Sequence, residues 1–211
     1  MNINQKIILF HHISIIIGIL IYGFNPLWAL LVFLLSMFWA MIVGGQVMHF
    51  YFSHKTYQDN LKSYFYTFLT LCTGLGSPIS FSASHRQHHQ FVDTEQDPHS
   101  PKHIGWFRVY FLDWQQQNIS PRIIRDYSKS KFQKTAHKHW FTVHAIIGLL
   151  LFIIHPVLLF FILSPFVVYT FHAASIVNVL GHLHGEPRNC GEIRWLNLWA
   201  WNHGDHHFHK E

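Results

Sequence analysis

Two long stretches of this chain carry no charged side chain, and they restrict the possible folds more than any other feature. No Lys, Arg, Asp or Glu occurs from Ile7 to His54 or from His139 to Gly185. A helix of about 20 apolar residues crosses the ~30 Å hydrocarbon core of a membrane. Each stretch is therefore long enough for two consecutive spans, whereas a helix buried in a soluble core needs no such length. The sequence predicts an integral membrane protein.

Each uncharged stretch contains an X-Pro turn that divides it into two helices. Asn25–Pro26 divides the first stretch and His155–Pro156 the second, since Pro is favourable as the first residue of a helix. Ser164–Pro165 is an alternative turn, or a kink within the last helix. The first helix is interpreted as a membrane anchor, because no small-residue cleavage pattern follows it. The predicted helices cover residues 7–24, 27–54, 137–154 and 156–184.

The two predicted hairpins, about 7–54 and 137–184, match in length. His49 follows Pro26 at nearly the same separation in sequence as Asn178 follows Pro156. At ~1.5 Å per residue both distances come to about 34 Å, slightly more than the membrane core. All 15 Lys and Arg then lie on one side, which the positive-inside tendency assigns to the cytoplasm. We expect one all-α membrane domain, 1–211, with a cytoplasmic helical cap formed by about 55–136 and 185–211.

The connection between the hairpins contains one apolar segment, Tyr64 to Phe81. A fifth span at this position would put the histidines after Ser84 on the other side of the membrane from His49. We therefore expect a helix that lies in or beneath the membrane interface.

Histidines are grouped at the predicted cytoplasmic ends. The pattern His-x-x-His-His begins at His85 and occurs again at His203. Positions i, i+3 and i+4 share a helix face, so each pattern can direct three imidazoles at one point. Neutral imidazole suits Fe, Cu, Zn and Ni, and nine such ligands are too many for one ion. The predicted ligands of a two-metal site are His49, His54, His85, His88, His89, His182, His203, His206 and His207.

Two spacings refine this prediction. His49 and His54 are five positions apart, about 140° around an α-helix, so they are expected to bind different ions. Asn178 lies four positions before His182 and is expected to act through a bound water. The other histidines are assigned structural roles, with interhelical partners expected inside the spans. These are His11, His12, His144 and His172 in the spans, His155 in a turn, and His99, His103, His137, His139, His184 and His209 elsewhere.

Other metal chemistries fit the sequence less well. It contains neither the His-Glu-x-x-His of zinc proteases nor the Glu-x-x-His of carboxylate di-iron bundles. Haem would need two axial ligands rather than nine at one rim. Cys72 and Cys190 are isolated and indicate neither a disulfide framework nor a thiolate-bound metal.

Five motifs follow one another along the chain: HFYFSH from His49, HRQHH from His85, DPHSP from Asp97 with Gly105–Trp106, NVLGH from Asn178 and NHGDHH from Asn202. Taken together and in order, they resemble those of the membrane fatty acid desaturases of the stearoyl-CoA desaturase type. The resemblance covers roughly His49 to Phe208 and implies four transmembrane helices with a cytoplasmic cap around a di-iron centre. It assigns two Fe ions to the nine histidines and a water-holding role to Asn178.

The sequence departs from the family pattern at several positions. Phe50 stands where the family has Arg, Phe81 where it has Trp, and residues 200–202 where it has Gly-Glu-Gly. The chain also ends four positions after His207, without the family's C-terminal segment. All nine predicted ligands are nevertheless present.

The resemblance implies an O₂-dependent acyl desaturase that forms a cis double bond, at Δ9 by family regiochemistry, in an acyl-CoA or acyl-lipid. Electrons would come from a ferredoxin or cytochrome b5 type donor, and no nucleic acid is involved. Two alternatives remain open, a di-iron hydroxylase of an acyl chain, alkane or carotenoid, and a metal carrier or sensor without turnover. A basic stretch with Arg122 and Arg125 is expected to contact the substrate or the donor, although a solvated charged face would have the same composition.

Overall fold

The computed structural model describes residues 1–112 and 119–183, and the regular secondary structure of this part is entirely helical. Four of its helices are long and apolar enough to cross a membrane, in agreement with the predicted number of spans. Shorter helices lie between the second and the third. The helices are α1 (Ile3–Tyr22), α2 (Pro26–His54), α3 (Leu61–Cys72), α4 (Pro78–Gln90), α5 (Pro101–Ile104), α6 (Trp106–Tyr110), α7 (Lys131–Ile154) and α8 (Pro156–Leu180), with a 3-10 helix over Pro121–Lys129.

Side-chain caps set the ends of the long helices. Asn25 accepts hydrogen bonds from two backbone N–H groups in the first turn of α2, at 3.0 and 3.2 Å, and Pro26 is its first residue. Ser130 caps α7 in the same way, accepting a backbone N–H at 3.1 Å. Such caps satisfy donors that have no partner within the helix. Since this cap precedes Lys131, α7 begins before the predicted boundary at residue 137.

Contacts divide the chain into two compact units. The first comprises Met1–Ser82 and Ile124–Phe171, and the second comprises Ala83–Ile123 and His172–Glu211. In the first unit α1 approaches α8 so closely at Gly18 that an added Cβ would lie 2.7 Å from the Cβ of Phe160. The apolar core beside this contact consists of Ile7, Cys72, Leu159, Phe160, Leu163 and Val167.

The second half of α2, from Ala40 to His54, is a π-helix. In a π-helix the backbone hydrogen bonds join residues five apart, so residues five apart share a face. The prediction that His49 and His54 point in widely different directions is therefore wrong, and their ring centroids are 4.9 Å apart. Because a π-helix holds more residues per turn than an α-helix, the rise from Pro26 to His49 is also shorter than predicted.

A shorter π-helical turn, Leu159–Leu163, lies just before Pro165 in α8. Pro has no N–H to donate, and its ring conflicts with the carbonyl four residues earlier. The wider turn accommodates both defects, so the helix continues through Ser164–Pro165. The break between α7 and α8 lies at His155, as predicted.

The apolar segment Tyr64 to Phe81 forms two helices rather than the single predicted helix. The chain leaves α3 at Cys72 and enters α4 at Pro78. Gly74 and Gly76, between them, have φ of +67° and +121°, which glycine adopts without strain. Within the described part of the chain, this segment is not among the helices long enough to cross a membrane.

Hydrogen bonds attach α3 to α7 and order two histidines inside the spans. The carbonyl of Leu71 accepts from Nδ1 of His144 at 2.9 Å, so Nδ1 carries the proton and Nε2 of the neutral ring accepts. His11 Nε2 donates to that nitrogen at 3.0 Å, and His11 Nδ1 accepts from Ser164 Oγ at 2.8 Å. The predicted interhelical partners of His11 and His144 are thus confirmed, and they connect α1, α3, α7 and α8.

Candidate metal centre

The imidazoles of the first His-x-x-His-His pattern, on α4, point in two directions. The ring centroids of His85 and His89 are 4.5 Å apart, and their ligand nitrogens lie within 4.8 Å of each other. The ring of His88 is 6.2 Å from that of His85 and 5.7 Å from that of His89. The possible ligand atoms of His88 instead group with those of Asp97 and His99, so the structure does not bring all three imidazoles of the pattern into one cluster. The pattern supplies a pair of imidazoles and a separate one.

Asp97, in the loop after α4, holds the ring of His88. The Nδ1 of His88 donates to Oδ2 of Asp97 at 2.8 Å, and both side chains are buried. The same carboxylate accepts the backbone N–H of Asp93 at 2.9 Å and that of His99 at 3.0 Å. Desolvation raises the pKa of Asp97 to about 6, against the two backbone hydrogen bonds, which lower it. At neutral pH the group is thus ionised and acts as an acceptor.

A second carboxylate, that of Asp93, holds the ring of His182. Asp93 Oδ2 accepts from Nδ1 of His182 at 3.1 Å, and its Oδ1 accepts from Ser100 Oγ at 3.0 Å. Asp93 has a φ of 56°, in the left-handed region that Asp tolerates better than most residues. The fully buried ring of His182 lies 4.6 Å from that of His88, centroid to centroid. Two carboxylates therefore order two adjacent buried imidazoles.

This hydrogen bonding decides which nitrogen of each ring carries the proton. An ionised carboxylate can only accept, so Nδ1 of His88 and of His182 carries the proton, and Nε2 of each neutral ring keeps its lone pair. Metal-bound histidines generally donate their other ring N–H to a carboxylate, a carbonyl or water. Burial lowers the pKa of His182, which favours the neutral form that metal binding requires. The donor set fits a transition metal.

His99, for which only a structural role is predicted from the sequence, joins this cluster. It is buried, and its ring centroid lies 4.2 Å from that of His88. Burial, reinforced by the nearby His182, lowers the pKa of His99 to about 3. Potential ligand atoms of His88, Asp97 and His99 lie within 4.8 Å of one another. His99 is thus a third neutral imidazole in the second unit's cluster.

In the first unit, the end of α2 presents His49 and His54, both partly buried. Their ligand nitrogens lie within 4.8 Å of each other because the π-helix places them on one face. The last carbonyl groups of a helix have no intrahelical donor. That of Phe52 accepts instead from the hydroxyl of Tyr127 at 2.7 Å and from that of Ser82 at 3.0 Å. These bonds hold the end of α2 in place.

The other predicted site residues have different outcomes. Asn178 is partly buried in the last turn of α8, and His182 follows it in the turn beyond the helix end. Arg122 and Arg125 are exposed on the 3-10 helix. Their roles, and the water-holding role of Asn178, stay predictions. His203, His206 and His207 lie outside the described residues.

Several other histidines make the structural contacts expected of them. His12 Nδ1 bonds to its own helix, at 2.8 Å from a carbonyl one turn earlier. Exposed His155 caps α8, and His139 is also exposed. The remaining contacts are His103 Nε2 with the carbonyl of Asp93 (2.8 Å), His137 Nδ1 with Ser77 Oγ (2.7 Å) and His172 Nδ1 with the Tyr110 hydroxyl (2.8 Å).

Asp93 and Asp97 are the functional candidates that sequence reasoning missed. The segment DPHSP was noted only as a family feature, and Asp93 was not singled out. The available signal was general: buried metal-binding histidines require acceptors for their second N–H, and these two acidic residues follow closely after the His-x-x-His-His pattern.

A family model described as fatty acid desaturase matches residues 25–210 of the chain. This chain belongs to the fatty acid desaturase family. The match covers most of each compact unit and all nine predicted histidine ligands. Together with the four apolar helices, family membership indicates an integral membrane protein.

Three curated relatives of this desaturase-family chain show how similar it is to individual desaturases. It is 27% identical over 166 residues to an icosanoyl-CoA 5-desaturase of Limnanthes douglasii, covering 71% of this chain and 47% of the relative. It is 26% identical over 226 residues to an sn-1 stearoyl-lipid 9-desaturase of Anabaena variabilis, covering 97% and 80%. It is 26% identical over 183 residues to a chloroplastic palmitoyl-monogalactosyldiacylglycerol delta-7 desaturase of Arabidopsis thaliana, covering 74% and 46%. The chain spans about half the length of the first and third relatives.

Proposed function

We propose that this chain is an O₂-dependent acyl desaturase that introduces a cis double bond into a saturated fatty acyl chain through a histidine-ligated di-iron centre. The observation that carries the proposal is the pair of carboxylate–imidazole hydrogen bonds, Asp97 with His88 and Asp93 with His182, in a chain of the desaturase family. In both, the proton lies on Nδ1, so Nε2 is the nitrogen with the lone pair that a metal requires. A metal centre requires buried imidazoles whose ring proton and orientation are set in this way, whereas a core without a metal does not.

Two groups of imidazoles support two ions rather than one. His85 and His89 form one pair on α4, while His88 is turned toward His182. The proposed ligands include three further histidines outside the described residues, and Asn178 would act through a water. The full proposed set is His49, His54, His85, His88, His89, His182, His203, His206 and His207.

Bound iron would supply the reaction with O₂ reduction and an oxidant able to remove hydrogen from an unactivated CH₂ group. The balance requires one O₂, two electrons and two protons for each double bond formed, with two waters released. The electrons would come from an external donor of the ferredoxin or cytochrome b5 type. The chain's own residues keep the imidazoles neutral and oriented, and the fold determines which methylene of the acyl chain is within reach.

We propose one membrane domain, 1–211, built from two hairpins, about 7–54 and 137–184, with both termini and the metal centre cytoplasmic. A cap of about 55–136 and 185–211 would hold the centre. Two observations support this topology. Four helices are long and apolar enough to cross a membrane, and every Lys and Arg lies outside the two uncharged stretches.

For regiochemistry we propose Δ9, and for substrate an acyl-CoA or acyl-lipid. The relative of which this chain covers most, by its name an sn-1 stearoyl-lipid 9-desaturase, supports both the Δ9 position and a lipid-linked substrate. The names of the other two relatives specify positions 5 and 7, so the double-bond position has to be measured.

Expression of the chain in cells, followed by fatty acid profiling, tests the proposal. We expect a monounsaturated product two mass units lighter than its precursor and with its double bond at Δ9. His88→Ala and His206→Ala should abolish it, while exposed His155→Ala serves as the matched control and should retain it. A product one oxygen heavier would identify a hydroxylase instead. Full activity of either ligand variant would refute the metal assignment.

A further inference from the structure

Helix α6 follows the loop that carries Asp93 and Asp97, and it has one buried side and one exposed aromatic side. The proposed reaction assigns no role to the exposed side. The side chains of Trp106, Phe107 and Phe111 are 56%, 59% and 40% exposed, whereas Val109 between them is fully buried. Phe107 and Phe111 pack against each other at 4.7 Å between centroids. Three adjacent aromatic side chains on one outer face are costly in water, because each leaves a large apolar area hydrated.

The inner side of α6 is attached to the last turns of α8. The hydroxyl of Tyr110 is hydrogen bonded to His172 Nδ1 at 2.8 Å, and its carbonyl accepts from Ser175 Oγ at 2.8 Å. Both partners belong to a helix that is apolar enough and long enough to span the membrane. The depth of His172 and Ser175 in the bilayer therefore determines the depth of α6.

That level follows from the length of α8. Its 25 residues extend about 37 Å, so a helix centred in a ~30 Å core projects about 3–4 Å beyond each boundary. Ser175 lies five positions before Leu180, or about 4 Å inside the core, and His172 lies about 8 Å inside it. Amphipathic interfacial helices bury their apolar face about 5–10 Å into the boundary between headgroups and acyl chains. The depth of α6 agrees with that range.

Basic side chains flank the aromatic face. Lys102 and Arg108 are exposed, one on α5 and the other on α6 itself. Aromatic rings concentrate at the membrane interface, and juxtamembrane Lys and Arg are attracted to anionic headgroups. The aromatic and the basic side chains of this segment therefore suit the same partner, a lipid interface, at the same depth.

We infer that α6 is a membrane-interface anchor whose aromatic face, formed by Trp106, Phe107 and Phe111, inserts among the lipid acyl chains of the cytoplasmic leaflet, with Lys102 and Arg108 on anionic headgroups. This anchor would fix the loop that carries Asp93 and Asp97 at a defined height above the bilayer. It depends on α8 spanning the membrane and not on the proposed reaction.

Depth-dependent quenching tests the inference in the full chain reconstituted in anionic vesicles. A single cysteine at position 107, with Cys72 and Cys190 replaced by Ala, carries an environment-sensitive fluorophore, and the lipids carry nitroxides at shallow or deep acyl positions. We expect strong quenching by the shallow nitroxide. Position 146 in α7, 49% exposed and near the middle of the uncharged part of that span, is the deep control, and exposed position 125 is the aqueous control. A label at 107 that behaves like the one at 125 would overturn the inference.

A photocrosslinking measurement avoids the cysteine replacements. Benzoylphenylalanine at position 107 should form adducts with phospholipid, found by mass spectrometry of the peptide, while the same group at position 125 should not. Adducts of position 107 with protein segments or with added free acyl substrate alone would mean that this face lines an internal surface, and the anchor would be refuted. Lipid adducts in a chain without desaturase activity would support the anchor and count only against the proposed function.

Discussion

The substitution Asp97→Asn separates the charge of the carboxylate from its shape. The amide oxygen can replace Oδ2, which accepts from His88 and from the backbone of Asp93. The NH₂ group then faces the backbone N–H of His99, where Oδ1 accepts in the wild type. The reverse orientation sets the NH₂ group against two donors. Either way the imidazole of His88 loses its charged acceptor.

The magnitude follows from the kind of bond that changes. A hydrogen bond to a charged group contributes about 1.5–3 kcal/mol and a neutral one about 0.5–1.5 kcal/mol. The difference of about 1–2 kcal/mol corresponds to a loss of roughly 10-fold in iron affinity. That value lies within the range of about 10–100-fold typical of carboxylates that support metal-bound histidines.

Anaerobic titration of the purified full chain with Fe(II), in competition with a chromophoric chelator, measures this affinity. Asp126→Asn is the matched control, since Asp126 accepts a backbone N–H, that of Tyr57, at 2.7 Å. We expect the control to lose stability but keep its iron affinity. If Asp97→Asn binds two irons as tightly as the wild type, the proposed role of the carboxylate is refuted.

Three further predictions concern topology, charge and packing. A cysteine introduced at Asn25 should react with an impermeant reagent from outside the cell and one at Lys129 only from inside; the opposite pattern would reverse the proposed orientation. Neutralising Arg122 and Arg125 together should weaken donor coupling or substrate use in steady-state assays. The difference from the wild type should shrink at high salt, because exposed charges are screened within ~8–10 Å. Unchanged kinetics at both salt concentrations would show that the two side chains are only part of a solvated surface. His144→Leu removes the imidazole donor to the carbonyl of Leu71 and the acceptor of His11 Nε2. It should lower the free energy of unfolding by about 1–3 kcal/mol while iron stoichiometry stays at the wild-type value, and a loss of iron would contradict its structural assignment.

The spans could be predicted because their physical cause is contained in the sequence. A lipid environment requires about 20 apolar residues with internally satisfied backbone groups, and the uncharged stretches can meet that requirement in few ways. The turns at Asn25–Pro26 and His155–Pro156 could also be predicted from the sequence, because each combines a capping side chain with a Pro at the first helical position.

The geometry of the metal cluster could not be read in this way, because it depends on contacts distant in sequence. The π-helical end of α2 brings His49 and His54 onto one face, and no local pattern distinguishes it from an α-helix. His88 turns away from its neighbours because the carboxylate of Asp97, in the following loop, accepts its Nδ1–H. The break at Gly74 and Gly76, by contrast, has a local cause, since both residues adopt a positive φ that glycine accepts without strain.

The hydrogen bond between His144 and the carbonyl of Leu71 has a consequence for biogenesis. The two residues are 73 positions apart, so α3 leaves the ribosome well before α7 does. The Leu71 carbonyl also accepts the backbone N–H of Gly74 at 3.4 Å, so it has a donor before α7 is made, and the His144 imidazole adds a second, shorter bond. The side-chain bond that joins α3 to α7 can form only after residue 144 has been synthesised. This part of the fold is therefore completed late, by an earlier helix and a later one.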